Sequence, residues 1–270
     1  MTLNLILLAV SVCVSVGLTI GIPSLSAWWL FGMIPLGYLL ATVLYFAILY
    51  ATVPFLPKGE DDRKSSRFCR FIIWLSIDWL FAIMRIRVEL TGLPLPSEPF
   101  VLVSNHRSVF DPLVMIQQAR KRELIYLSKE SNFHIPLVGA FLRGAGYYAI
   151  DRENGMRALR TLKKVTERMK AEGLDVGVYP EGTRSKTGEL LEFKTGAFYL
   201  AKRAEAPIVI MTTEGAETVT KCFPRRASHV TLRVVDIVSR EEAAGLSMEE
   251  LAARVRNTIA ENLPEKAPQV

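Results

Sequence analysis

Two short stretches carry the residue types that do chemistry. The first, Ser104 to Leu113, reads SNHRSVFDPL and places a histidine and an aspartate five residues apart, directly after the apolar run PFVLV. A carboxylate that accepts the proton of one imidazole nitrogen fixes the tautomer and leaves the other nitrogen as a base. On a regular helix five residues turn through about 500°, so the two side chains would diverge by some 140°. If Pro112 opens a helix with Asp111 as its N-cap, His106 to Phe110 instead form a turn between strand and helix, and the carboxylate folds back toward the ring. An Asx-type turn around a loop histidine uses the same residues, and spacing alone does not separate the two. No GxSxG nucleophile elbow occurs in the chain. The pair therefore suits a hydroxyl that arrives with a substrate and is deprotonated by His106.

The second stretch, Tyr179 to Ser185, reads YPEGTRS. Gly182 permits close backbone approach, while Thr183 and Arg184 offer donors just after an expected strand. Arginine is the residue for bidentate contact with phosphate. An exposed turn is the alternative, since Pro-Glu-Gly-Thr is ordinary turn chemistry.

The elements that must position these residues show in the charge pattern. No Lys, Arg, Asp or Glu occurs before Lys58 in the 270 residues, and the rest has ordinary soluble composition. Leu3 to Ile22 is long enough to cross a hydrocarbon core, a turn is expected at Pro23 to Ser26, and a second apolar run continues to about Ala51. Residues 1–57 thus read as a transmembrane helical hairpin, a signal peptide being the alternative for the first run. Trp28 and Trp29 suit an interface. Lys58, Arg63, Lys64, Arg67 and Arg70 follow, and the positive-inside bias puts the remainder on the cytoplasmic side. Residues 58–87 read as a basic linker and an interfacial amphipathic helix, Phe71 to Met84, whose flanking arginines reach headgroups; a buried core helix is the alternative. The net charge of +6 belongs wholly to the part after the hairpin and, beside a membrane anchor, suits anionic lipid rather than nucleic acid. Three scattered cysteines without CxxC spacing argue against a disulfide framework or a zinc site.

Residues 88–270 alternate strand and helix. Strands are expected at Pro99 to Ser104, Leu124 to Ser128, Gly146 to Asp151, Asp175 to Tyr179, Pro207 to Thr213 and Ser228 to Val238. Helices are expected at Pro112 to Lys121, Asn154 to Ala171, Gly196 to Arg203 and from Ser247 to about Asn262, the last opened by a capping box with Glu250. The Asn154 helix carries Met156, Leu159, Leu162, Val165 and Met169 on one stripe. The fold class is α/β, a largely parallel sheet flanked by helices.

Taken together, Asn105 to Asp111 and, some seventy residues later, Pro180 to Ser185 resemble the glycerolipid acyltransferase family, in particular the 1-acylglycerol-3-phosphate acyltransferases. Gly146 to Arg152, Phe193 to Ala197 and Ala206 to Val209 resemble further family blocks in order, with Ile210 where a second proline is often found. The resemblance covers roughly residues 88–213. It implies His106 as general base, Asp111 as its orienting partner, and direct attack of an acceptor hydroxyl on an acyl thioester without an acyl-enzyme. It further implies Arg152, Gly182 and Arg184 as holders of an acceptor phosphate, with Glu181 shaping that site. Lys129 and Lys194 are added as basic residues near family blocks, solvated surface lysines being the alternative. His134 and His229 read as structural or exposed. No metal or cofactor is implied. The expected partners are lysophosphatidic acid, an acyl-CoA or acyl-carrier-protein thioester and membrane lipid. The expected product is phosphatidic acid, in phospholipid biosynthesis. Other acceptors (glycerol-3-phosphate, another lysophospholipid, a lyso-aminolipid), a non-catalytic lipid-binding module and a thioesterase remain alternatives.

Overall fold

The computed structural model describes residues 2–22, 26–57 and 65–263. All but Ser26 of the turn expected at Pro23 to Ser26, and the basic residues Lys58, Arg63 and Lys64, lie outside the described residues. Helix α1 (Thr2–Gly21) packs against α2 (Leu30–Thr52), which a 3-10 turn at Ala27–Trp29 precedes. Both are long and apolar enough to cross a membrane, and helices meet every backbone hydrogen-bonding need internally there. Small residues let the two approach: Ser11 Oγ donates to Ile34 O at 2.6 Å, and a Cβ on Gly37 would lie 2.6 Å from that hydroxyl.

Helix α3 (Arg67–Met84) starts one turn earlier than the apolar run suggests, because Ser66 caps it by accepting from Cys69 N–H. The helix has two kinds of apolar face. Cys69, Ile72, Ile77 and Phe81 enter the main core, and Leu75 packs with Leu3 and Leu7 of α1. Phe68, Phe71 and Ile83 stay exposed. Asn4 Nδ2 donates to Trp79 O at 3.1 Å, and Tyr45 of α2 bonds Ser76 at 3.1 Å. Thus α3 joins the hairpin to the domain, buried along one side and bare along the other.

The domain then runs β1 (Ile86–Gly92), β2 (Val101–Ser104), α4 (Asp111–Gln118), β3 (Leu124–Lys129), α5 (Val138–Gly144) and β4 (Tyr148–Ile150). It continues through α6 (Gly155–Glu172), β5 (Asp175–Val178), α7 (Gly196–Ala204), β6 (Ile208–Glu214), α8 (Val219–Cys222), β7 (Ser228–Val238), α9 (Arg240–Gly245) and α10 (Met248–Asn262). The seven strands form one sheet in the order β1-β7-β6-β2-β5-β3-β4, parallel except where β7 returns against β6. Every residue of β2 is buried, as is all of β6 but Glu214, which suits strands covered on both faces. Both bonds of the capping box between Ser247 and Glu250 are present.

Three details differ from the sequence reading. Asp111 is the first residue of α4 rather than its N-cap, which is Phe110. The stripe on α6 is buried only from Leu162 onward, Met156 and Leu159 being exposed. Helix α5 and strand β1 were not anticipated, and tertiary contacts hold both. Ser66 N–H donates to Gly144 O at 2.8 Å, and β1 pairs with β7 from Ile86↔Ser228 to Gly92↔Val234. Because β7 runs against β6, the start of β1 and the end of α3 lie at the carboxyl edge of the parallel strands.

Ile210, fully buried in the middle of β6, tests the core. Ile210→Ala should lower unfolding free energy by about 2–5 kcal/mol. Denaturant titration of the detergent-solubilised full chain measures this.

Candidate active site

Strands β2 and β5 are parallel neighbours, with Val103 opposite Val178, so their carboxyl ends put SNHRSVFD and YPEGTRS side by side. β5 pairs next with β3, and β3 with β4, so Lys129 and Arg152 follow along the same edge. Four stretches far apart in sequence thereby share one crevice, the usual location for a site in an open α/β sheet.

The turn after β2 is built around Asp111. Its Oδ2, 1% exposed at the side chain, accepts from Arg107 N–H and Ser108 N–H at 2.7 Å each and lies 2.9 Å from His106 Nδ1. A carboxylate only accepts, so in the neutral ring Nδ1 carries the proton and Nε2 the lone pair. Nε2 has no hydrogen-bond partner among the described residues. The ring is also held by its face: Tyr179 stacks on it with centroids 4.2 Å apart and planes 19° from parallel. Tyr126 stacks on Tyr179 in turn, and burial raises both phenols well above their ordinary pKa, so they stay neutral packing surfaces. Beneath the turn, buried Asn105 accepts from Thr213 N–H and donates to Thr213 O, both at 2.9 Å, pinning it to the end of β6.

Glu181 ties the second loop to the first. One carboxylate oxygen accepts from His106 N–H at 2.6 Å and the other from Leu191 N–H at 3.1 Å. Burial raises its pKa, and those two backbone donors and the nearby charges work against the rise. Both oxygens thus serve the loops, which makes Glu181 a positioning residue. Ser185 N–H closes the same junction by donating to His106 O at 2.8 Å.

The cations gather around Gly182. This residue sits at φ +68°, and a Cβ there would meet Lys194 carbons and the ammonium at 3.0–3.2 Å. Arg152 donates one Nη1 bond to Gly182 O, and burial lowers its pKa. The rest of its guanidinium donors are available to a ligand. Thr183 and Arg184 are exposed just beyond, as is Lys129 at the end of β3. The structure therefore brings Arg152, Gly182, Thr183, Arg184 and Lys194 to one place, with Lys129 on the strand between. His134 and His229 are exposed, on a turn and on β7 respectively. Roles for Asn105 and Tyr179 were missed. Both lie inside the motif blocks, but their partners, Thr213 and the imidazole face, come from other strands.

Fold and site together define an α/β protein with a histidine–aspartate pair beside a cluster of cations around Gly182. The acyltransferase family model matches residues 86–213. The chain is 31% identical over 177 residues to yeast (Saccharomyces cerevisiae) 1-acyl-sn-glycerol-3-phosphate acyltransferase, covering 63% of this chain and 57% of that protein. It is 30% identical over 222 residues to human 1-acyl-sn-glycerol-3-phosphate acyltransferase alpha, covering 80% of this chain and 76% of that one. The match thus spans little more than half of the yeast relative and three quarters of the human one. The crystal structure of the 1-acyl-sn-glycerophosphate (LPA) acyltransferase PlsC from Thermotoga maritima shares the fold, with a TM-score of 0.60, 23% identity, and coverage of 85% of this chain and 95% of that one. The chain belongs to the 1-acyl-sn-glycerol-3-phosphate acyltransferase family.

Gly182→Ala should both strain the backbone, at about 1–2 kcal/mol, and displace Lys194. Gly188→Ala, at φ +77° with open space around it, isolates the strain alone. Equal losses of thermal stability with a raised acceptor KM only in Gly182→Ala would assign the ligand effect to the displaced lysine.

Proposed function

We propose that this protein transfers a fatty acyl group from an acyl thioester to the sn-2 hydroxyl of 1-acylglycerol-3-phosphate, giving phosphatidic acid. The carrying observation is the His106–Asp111 pair, whose Nε2 is unengaged, placed beside the cations around Gly182. His106 Nε2 takes the acceptor's hydroxyl proton as the oxygen attacks the thioester carbonyl carbon. The tetrahedral intermediate then expels the thiolate as the C–S bond breaks, and the imidazolium returns the proton to sulfur. Asp111 stabilises that imidazolium. Arg152, Arg184 and Lys194 hold the acceptor phosphate, with Gly182 and Thr183 shaping the cradle and Lys129 extending its positive charge. Neither step calls for a cofactor, and acyl-CoA or acyl carrier protein serves as co-substrate.

The hairpin anchors this chemistry where the acceptor resides. In this reading α1 and α2 span the bilayer, and the basic residues from Lys58 to Arg70 put the domain on the cytoplasmic face. The bare side of α3 then rests in the interface, and its end leads to the catalytic edge. Lysophosphatidic acid diffuses in the same leaflet, so its headgroup reaches the crevice without leaving lipid.

The test uses the full chain in lipid nanodiscs with lysophosphatidic acid and long-chain acyl-CoA or acyl carrier protein. Phosphatidic acid is read by mass spectrometry. His106→Ala should lower kcat/KM by roughly 10²–10⁴-fold. Asp111→Asn should lose about as much while keeping the turn. Arg184→Ala should raise KM for lysophosphatidic acid more than for a lyso acceptor lacking the phosphomonoester. Absence of product from folded wild type with both donors would overturn the acceptor assignment.

A further inference from the structure

Away from the catalytic edge, a cavity of about 470 Å³ opens between α3 and the segment that follows α4. Arg67, Arg70, Phe71 and Trp74 line it from α3, and Arg120 and Lys121 from the other side. Leu124, the first residue of β3, also lines it. Lys129 ends β3 at the catalytic edge, roughly 17 Å further along the strand. The two sites therefore lie at opposite ends of the sheet.

Among the described residues, only part of the positive charge here is paired. Arg70 pairs with Glu123, and Arg122 is committed to Asp175. Arg67, Arg120 and Lys121 have no carboxylate partner among the described residues. Arg67 and Arg70 stand in the first turn of α3, where positive charge opposes the helix dipole, so helix stability does not account for them. Arg120 lies 5.3 Å over the Trp74 ring, and Phe71 beside it is exposed. Cations without a carboxylate partner among the described residues, next to exposed Phe71 and half-buried Trp74, suit an amphipathic anion better than a free one. The location points the same way. Leu75, adjacent to Trp74, grips Leu3 and Leu7, so the cavity flanks the place where the hairpin meets the domain.

We propose that this pocket binds the phosphate headgroup of an anionic phospholipid from the leaflet holding the hairpin. The lipid ties the amino end of α3 to the bilayer, while the helix's other end supports the catalytic edge. The proposal rests on the membrane-spanning reading of α1 and α2 and is independent of the acyltransfer reading.

Native mass spectrometry of the full chain in detergent, without substrates, tests it. The protein is titrated with phosphatidylglycerol and with phosphatidylcholine of matched chains. The wild type should retain one phosphatidylglycerol in preference to phosphatidylcholine. Arg67→Gln/Arg120→Gln should weaken that retention by roughly tenfold or more, the scale of lost charge-assisted bonds. Lys163→Gln/Lys164→Gln, on the exposed face of α6, should leave it unchanged. Arg67→Gln alone, at an exposed position, gives the same reading if the double variant fails to fold. Equal retention of the two lipids, equal loss in the α6 variant, or ready displacement by inorganic phosphate would each overturn the proposal. A chain that purifies folded without detergent would remove the membrane reading and this proposal with it, whereas loss of acyltransfer alone would leave it standing.

Discussion

One carboxylate oxygen organises this protein's chemistry. Asp111 Oδ2 gathers the ring N–H of His106 and two backbone N–H groups of the turn between them. Buried donors left unpaired cost free energy, so the turn folds around the carboxylate rather than the reverse. One atom thereby fixes the path of the chain, the tautomer of the imidazole and the orientation of its lone pair. Placing Asp111 inside the first turn of α4, instead of at the N-cap, is what brings its carboxylate within reach of all three.

That arrangement needs a rigid floor, which the parallel sheet supplies. Asn105 is locked to Thr213 at the end of β6, and Glu181 and Ser185 lock the β5 loop to the backbone of His106. The buried carboxylate of Glu181 accepts backbone N–H groups from two segments and so holds His106 and the Gly182 loop in fixed relation. Tyr179 does the same through its face. In the proposed reaction the positions that bear on ligand directly are then few: one imidazole nitrogen, the guanidinium donors of Arg152 and Arg184, and the ammonium of Lys194 against Gly182.

Helix α3 couples this site to the hairpin. It is neither the core helix nor the surface helix that its composition allowed as alternatives, but both, on different faces. Leu75 serves α1, Phe81 serves the domain core, and Phe71 serves neither. Between Phe71 and Met84 only Ser76 and Asp78 are polar, so the sequence pattern alone does not tell the face that meets α1 from the face that meets the domain.

The sequence by itself marked most of the elements and, through a resemblance, the residues expected to do the chemistry. The charge-free first 57 residues announced two membrane-length helices, and caps such as Ser247 with Glu250 marked helix starts through local hydrogen bonds. The pairing of His106 with Asp111 was readable because both lie in one turn. Tertiary structure alone decided which distant segments meet. Strand order put β5 beside β2 and β3 beside β4, and from that came the stacking of Tyr179 on His106 and the meeting of Arg152 with Gly182. Helix α5 and strand β1 likewise are held by contacts with Ser66 and β7. Local patterns record a residue's near neighbours along the chain. Sheet order is settled by burial and by pairing between segments far apart in sequence, and neither leaves a mark at short range.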